Sequence, residues 1–427
     1  MKKIKKKQFS FGTKNVRNKI ISSSLISTIL LSFTGCENVD NKAEFLKDNG
    51  VEVTQLIDNS NQYDLYYVDT YDETLIEDAN LKNLIMSTGM PPVTCSPEEF
   101  KNNSTYKNVT IDDVKSLIKN NKELEEYDKN VLLVGIDNLV KAGFNINTSV
   151  LYCNLEGLKV IHFDEVPEDF KGVSNGQFRA DIKTMYIPTI NFINKYGNGD
   201  IKQKDFILCH ELLGHGSMGC HDEKDNLFVK YEKSICQLGK EITNFTIVGT
   251  FIEEGMADII AINATGYTKY AGYPLNSYLV YDLMSVCGLS FNDVYNNDIR
   301  LIAHKLEEIG IKDSYDTLNN IDSYIYQFLY YAHEPYNDEM YMTAYIVKLY
   351  TAYINYLYTN SSKSIEDIEI IVNDSIDNYK KVYYIENHGD PAVAICDDIN
   401  GIIYVRPSEL KIKCKQYMNS LKNTRTK

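Results

Sequence analysis

Apolar residues recur at two different periods along this chain. In TIDDVKSLIKNN they return every three to four positions behind Thr110 and Asp113, a pair spaced for reciprocal capping, so a helix is expected from about residue 111. YDKNVLLVGIDNLVKAGF keeps that period and should close at Gly143. Between about 148 and 190 the pattern shortens to the pieces SVLYCNL, LKVIHF and IKTMYIPT, which read as strands of a small sheet. From about residue 203 helical spacing dominates. It runs through the segment around CHELLGHGSMGCHD, then TIVGTFIEEGMADIIAINATG, SFNDVYNNDIRLIAHKLEEIG, SYIYQFLYYAH, DEMYMTAYIVKLYTAYINYLYT and SIEDIEIIVNDSIDNYKKVYY. The expected fold class is therefore α+β, mainly α-helical, with a small β-sheet beside the helix that starts at Cys209. No repeat of solenoid period is visible.

The N-terminal pattern is of another kind. The first 19 residues hold eight Lys or Arg and no acid, and lead into the apolar run IISSSLISTILLSFTG before Cys36. Charge, short apolar run and small residues ahead of a cysteine are the order of a lipoprotein signal peptide, 1–35, with Cys36 as the lipidated residue. An ordinary secretory signal with an incidental cysteine is the alternative. Residues 36–60 are polar and read as a spacer; the body is expected over 61–427, with a catalytic core at about 148–350. No later segment is apolar over the length a membrane span needs. The protein is thus expected outside the cell membrane, anchored to it through an N-terminal lipid.

Composition narrows the function classes. Net charge is −15, and loss of the eight basic leader residues takes it to −23, which disfavours nucleic acid as a partner. Eight cysteines follow Cys36 without a CxxC pair, so a clustered zinc ribbon is not expected and their pairing stays open. The 33 tyrosines crowd the helical segments, where a stripe of them reads as packing.

The chemistry concentrates at Cys209–Asp222. His210 and His215 are five apart; at about 100° per residue a regular helix would splay them by about 140°. A π-type turn between them restores a common face, and Gly214 is placed to relax there. Two imidazoles do not complete a catalytic zinc site, which takes three protein ligands and keeps one position for water. Glu254 supplies a third candidate, with Asp258 one turn on to hold the outer N–H of a ligand histidine and Glu253 as a neighbouring or substrate-contacting acid. His221, six residues after His215, is a competing ligand, and Cys209 and Cys220 are soft alternatives that also read as buried thiols.

These residues resemble a family. HELLGHGS is similar to the HExxxH zinc motif of the dipeptidyl peptidase III family, and EEGMAD to its second motif, with Asp258 where the family has Glu. The resemblance spans about residues 203–265, in a chain shorter than the usual member. It implies a zincin-like catalytic domain in which His210, His215 and Glu254 bind Zn²⁺ and Glu211 is the general base. A transition-state stabiliser of that family would correspond to Tyr341 in YMTAYIV, or to His333 in YYAHEPY; for His304, His333 and His388 a purely structural role is the other reading. The expected function is a zinc-dependent metallopeptidase with a peptide substrate, either releasing N-terminal dipeptides or cutting internally. RADIKTMYIPT would be an edge strand aligning that peptide. The alternative is a non-catalytic peptide-binding lipoprotein derived from a peptidase.

Overall fold

The computed structural model describes residues 42–56, 65–71, 100–102, 105–165, 176–197, 199–222, 224, 227–230, 235–238, 245–297, 299–331, 335–394 and 403–425. The leader and Cys36 lie outside these residues. Within the stretch read as a spacer, α1 (Lys42–Asp48) and β1 (Val51–Leu56) are already folded. Leu46, fully buried, anchors this short helix in otherwise polar sequence. Strand β1 pairs antiparallel with β2 (Leu65–Tyr71).

Helices α2 (Ile111–Asn120) and α3 (Glu126–Lys141) form where the pattern placed them. Thr110 and Asp113 make the reciprocal cap, and Gly143, at φ 84°, ends the second helix in the left-handed region that suits glycine. The third segment differs from expectation. SVLYCNL belongs to a helix, α4 (Thr148–Glu156), started by the Asn147 side chain accepting from the Val150 N–H. Six of its nine residues are buried, Ser149, Val150, Leu151, Cys153, Asn154 and Leu155, so it has too little polar face to reveal a 3.6 period.

The sheet beside the motif helix has three strands in the order β3 (Lys159–Phe163), β5 (Thr184–Pro188), β4 (Gln177–Arg179). β3 runs parallel and β4 antiparallel to β5. The expected edge strand is therefore central: all five residues of β5 are buried and both its edges are paired. The edge nearest the motif helix belongs to β4.

Next come α5 (Ile190–Tyr196), α6 (Ile201–Leu208), the motif segment Cys209–His215, and the short strands β6 (Gly219–Asp222), β7 (Leu227–Lys230), β8 (Ile235–Leu238) and β9 (Phe245–Val248). β8 and β9 complete the first sheet in the order β1-β2-β8-β9. TIV in TIVGTFIEEGMAD is thus strand, and α7 (Thr250–Thr265) begins only after Gly249, at φ 105°. Helices α8 (Pro274–Cys287), α9 (Phe291–Asn296), α10 (Ile299–Glu308), α11 (Ser314–Tyr331), α12 (Pro335–Asn360), α13 (Ile365–Ile376) and α14 (Pro407–Arg425) pack around α7 and one another, with β10 (Ile385–Asn387), β11 (Asp390–Ala394) and β12 (Ile403–Val405) as a third small sheet. The single helix expected over SFNDVYNNDIRLIAHKLEEIG is two, because Asn297 is extended at the junction.

The protein is mainly helical with small sheets, an α+β fold. Its main core holds α7 at the centre, with eleven of that helix's sixteen residues buried. Tyr278, Tyr295 and Tyr350 are among its largest buried side chains, as expected of a packing stripe. Among the described residues no helix is long and apolar enough to cross a membrane.

Candidate metal centre

The helix that enters at α6 widens into a π-helix over Cys209–His215. Gly216 donates its N–H to Glu211 O, five residues back, which is the hydrogen bond that admits the extra residue. The His210 and His215 rings consequently meet edge to face, with centroids 4.9 Å apart. Gly214 contributes by close approach. A Cβ on it would stand 2.8 Å from Ala257 Cβ and 2.9 Å from Ala257 Cα, so its lack of a side chain lets the motif segment lie directly on α7. Ser217 Oγ donates to the loosened carbonyls Leu213 O (2.6 Å) or Gly214 O (3.0 Å), and Tyr295 OH reaches Ser217 Oγ at 2.7 Å.

Three donor atoms converge across this contact. His210 Nε2 and His215 Nε2 are 3.2 Å apart, and Glu254 Oε2 is 3.4 Å from each. A tetrahedral zinc with bonds of about 2.0–2.1 Å separates neighbouring ligand atoms by about 3.3 Å. The triangle already has the edges of one face of that tetrahedron. The outer ring nitrogens fix what the inner ones present. His210 Nδ1 is 2.8 Å from Asp258 Oδ1 and His215 Nδ1 is 3.5 Å from Glu253 Oε1. With the protons on Nδ1, both Nε2 atoms point lone pairs at a carboxylate oxygen, an arrangement that calls for a cation between them.

The local field has that sign. Four carboxylates, Glu211, Glu253, Glu254 and Asp258, surround the two imidazoles. Burial opposes a charged His210, but Asp258 and Glu254 carry it up to about 9. Burial opposes a charged His215 too, and Glu254 and Glu253 still push it well above the usual histidine range. Burial would raise the Glu254 carboxyl, yet His215 and His210 hold it far below the ordinary carboxylate range. The same negative field favours a metal ion that competes with protons for the two imidazoles.

Glu211, nearly buried, turns its Oε2 to the Phe178 N–H at 2.8 Å. That N–H is on the side of β4 away from β5, so the outer edge of the described sheet and the carboxylate meet at the centre. The His210 ring lies between Phe206 and Tyr273, with centroid distances of 6.3 and 5.9 Å. The Tyr273 N–H also donates to Asp258 Oδ2 at 2.6 Å, locking the carboxylate that orients His210.

Asp322 on α11 holds the start of the Glu254 helix, accepting from the N–H groups of Gly249, Thr250 (3.0 Å) and Phe251 (2.9 Å). Asp322→Ala leaves three donors at a buried helix end without their acceptor. It is expected to lower stability by about 2–4 kcal/mol in urea unfolding. A loss below about 0.5 kcal/mol would show that α7 is held in place by packing alone.

The other sequence candidates fall elsewhere. His221 sits in β6 with Nδ1 3.2 Å from Asp181 O, and is not among the converging atoms. Cys209 and Cys220 are buried thiols outside that group. His304 is exposed and pairs with Glu308 at 3.2 Å, and His388 is exposed in the turn after β10. Tyr341 lies in α12, but its side chain, and all of His333, are outside the described residues. A second acidic group, Glu125, Asp128 and His162, already has a cation, since Lys204 Nζ is 2.7 Å from Asp128 Oδ1. Sequence reading missed Phe178, Tyr273 and Asp322. Two of these act through main-chain N–H groups, which carry no residue signature, and Asp322 is about 70 residues from the helix it caps. No family model, curated protein or solved structure matches this chain.

Proposed function

We propose that the protein is a zinc-dependent metallopeptidase of the kind its HELLGH and EEGMAD motifs resemble, that of the dipeptidyl peptidase III family. The observation that carries this reading is the triangle of His210 Nε2, His215 Nε2 and Glu254 Oε2 with edges of 3.2–3.4 Å. Two imidazoles and one carboxylate are a donor set that suits zinc, with a fourth position left for water. Zinc bound there supplies a water acidified to near neutrality and polarisation of the scissile carbonyl.

The rest of the chemistry belongs to the chain. Glu211, next in sequence to His210 and aimed by the Phe178 N–H, takes the proton of the attacking water and delivers it to the leaving amine. Asp258 keeps His210 in the Nδ1–H tautomer. The side of β4 away from β5 runs past Glu211, so an extended peptide lying along it by main-chain pairing brings its backbone to the catalytic carboxylate. A motif helix under a sheet edge, with a second ligand helix packed against it, supports a zincin-like catalytic domain.

The activity is tested by incubating the purified full chain in detergent with a peptide mixture and mapping the cuts by mass spectrometry. Cleavage that stops with a chelator and returns with zinc is expected. Binding without cleavage by the zinc-loaded protein would make it a peptide-binding lipoprotein instead. We place this activity outside the cell membrane, on a lipid anchor at Cys36. Cys36→Ser is expected to move the protein out of the membrane fraction or to leave its leader uncleaved. Unchanged processing and retention would contradict the anchor.

A further inference from the structure

We propose that Cys153 and Cys220 form a disulfide that fastens helix α4 to strand β6 where the chain leaves the metal-binding helix. The two thiols share one buried cluster with Phe100, Tyr106 and Val150. Cys153 Sγ also lies 3.7 Å from the carbonyl of His221, the residue after Cys220. The backbones are already clamped at this junction. Asn154, beside Cys153, donates its Nδ2 to Gly216 O and Gly219 O, each at 2.7 Å. A covalent bond from the preceding residue to Cys220 needs no new approach of the two elements.

A third group marks the pair as more than two buried thiols. Lys183 is almost fully buried and sits at φ 46°, a left-handed backbone conformation that a lysine adopts at a cost. Its side chain runs against Gly157, where a Cβ would stand 2.8 Å from Lys183 Cδ, and its Nζ ends 3.5 Å from Cys153 Sγ. The hydrogen bond with Cys220 and the Lys183 ammonium lower the Cys153 thiol against burial, whereas burial and Cys153 push the Cys220 thiol up. With the Lys183 ammonium 3.5 Å from its sulfur, Cys153 is the attacking thiol and Cys220 the resolving one.

The oxidant is a low-molecular-weight disulfide, RSSR. Both protein sulfurs are buried in the closed fold, so RSSR reaches them while the chain is open during folding. The Cys153 thiolate, its proton given to solvent, attacks one sulfur of RSSR, forming Cys153–S–SR and releasing RS⁻. That thiolate takes the Cys220 proton, and Cys220 sulfur then attacks Cys153 sulfur, expelling the second RS⁻. The second RS⁻ takes up the proton that Cys153 gave to solvent, so one RSSR is reduced to two thiols as the protein dithiol is oxidised. The bond closes a loop that contains the β3–β5 sheet and the motif helix, so it limits the unfolded chain where the site is built. It stands whether or not zinc binds.

The test refolds the purified, reduced full chain from urea in the presence of oxidised glutathione, blocks remaining thiols under denaturing conditions, and maps linked peptides. A single major Cys153–Cys220 crosslink and a rise in Tm of several degrees are expected, with both lost in Cys153→Ala and in Cys220→Ala. If the oxidised wild-type chain still has both thiols free to alkylation once denatured, or links either to another cysteine, the proposal is overturned.

Discussion

Glu211→Gln is expected to leave zinc bound at full stoichiometry while slowing peptide hydrolysis by about 10²–10⁴. The amide has the shape of the carboxylate, and its oxygen can still accept the Phe178 N–H that now holds Oε2 at 2.8 Å. Packing around this nearly buried side chain is therefore retained. What the amide lacks is basicity, so the attacking water keeps its proton. Since Glu211 is not one of the three converging atoms, metal content does not change. Zinc analysis and kcat on the same preparation separate the two roles. An active Glu211→Gln protein would remove Glu211 from the mechanism, and a zinc-free one would make it a ligand.

The largest effect on the metal itself is expected at Glu254. Apparent zinc affinities of about 10–16 kcal/mol divided over four ligands give about 2.5–4 kcal/mol for each, so Glu254→Ala should weaken binding by about 10²–10³-fold. Its carboxylate oxygen lies 3.4 Å from each imidazole Nε2. Asp258→Ala should cost less, about 10–100-fold, because it removes the acceptor that orients His210 and not a donor to the metal. His221→Ala should leave affinity unchanged, as its ring faces Asp181. Competition with a chromogenic chelator ranks the three. An order with His221 essential and Glu254 dispensable would break the resemblance to the dipeptidyl peptidase III family.

How much of this was legible in the sequence differs from residue to residue. That His210, His215 and Glu254 meet was readable, because the late histidine forces a π turn and the Glu254/Asp258 pair has few other reasons to lie in an apolar helix. The capping pair Thr110/Asp113 fixed a helix start for the same local reason. Helix α4 was misread because burial on most of its surface erased the polar face that reports a period. Strand β5 was misplaced at an edge because neighbour order in a sheet is decided by pairing between distant segments, which alternation along one strand does not encode. Likewise, Gly214 looked like a flexible joint. Its contact with Ala257, 43 positions away, shows that its small size is what matters.

The central claim is that three side chains from two helices hold one zinc ion. It is tested most directly by anomalous diffraction from zinc-soaked crystals, measured on both sides of the zinc absorption edge. A single strong peak is expected about 2.0–2.2 Å from His210 Nε2, His215 Nε2 and the Glu254 carboxylate. The absence of a peak between them, or a zinc bound instead at Glu125, Asp128 and His162, would contradict it.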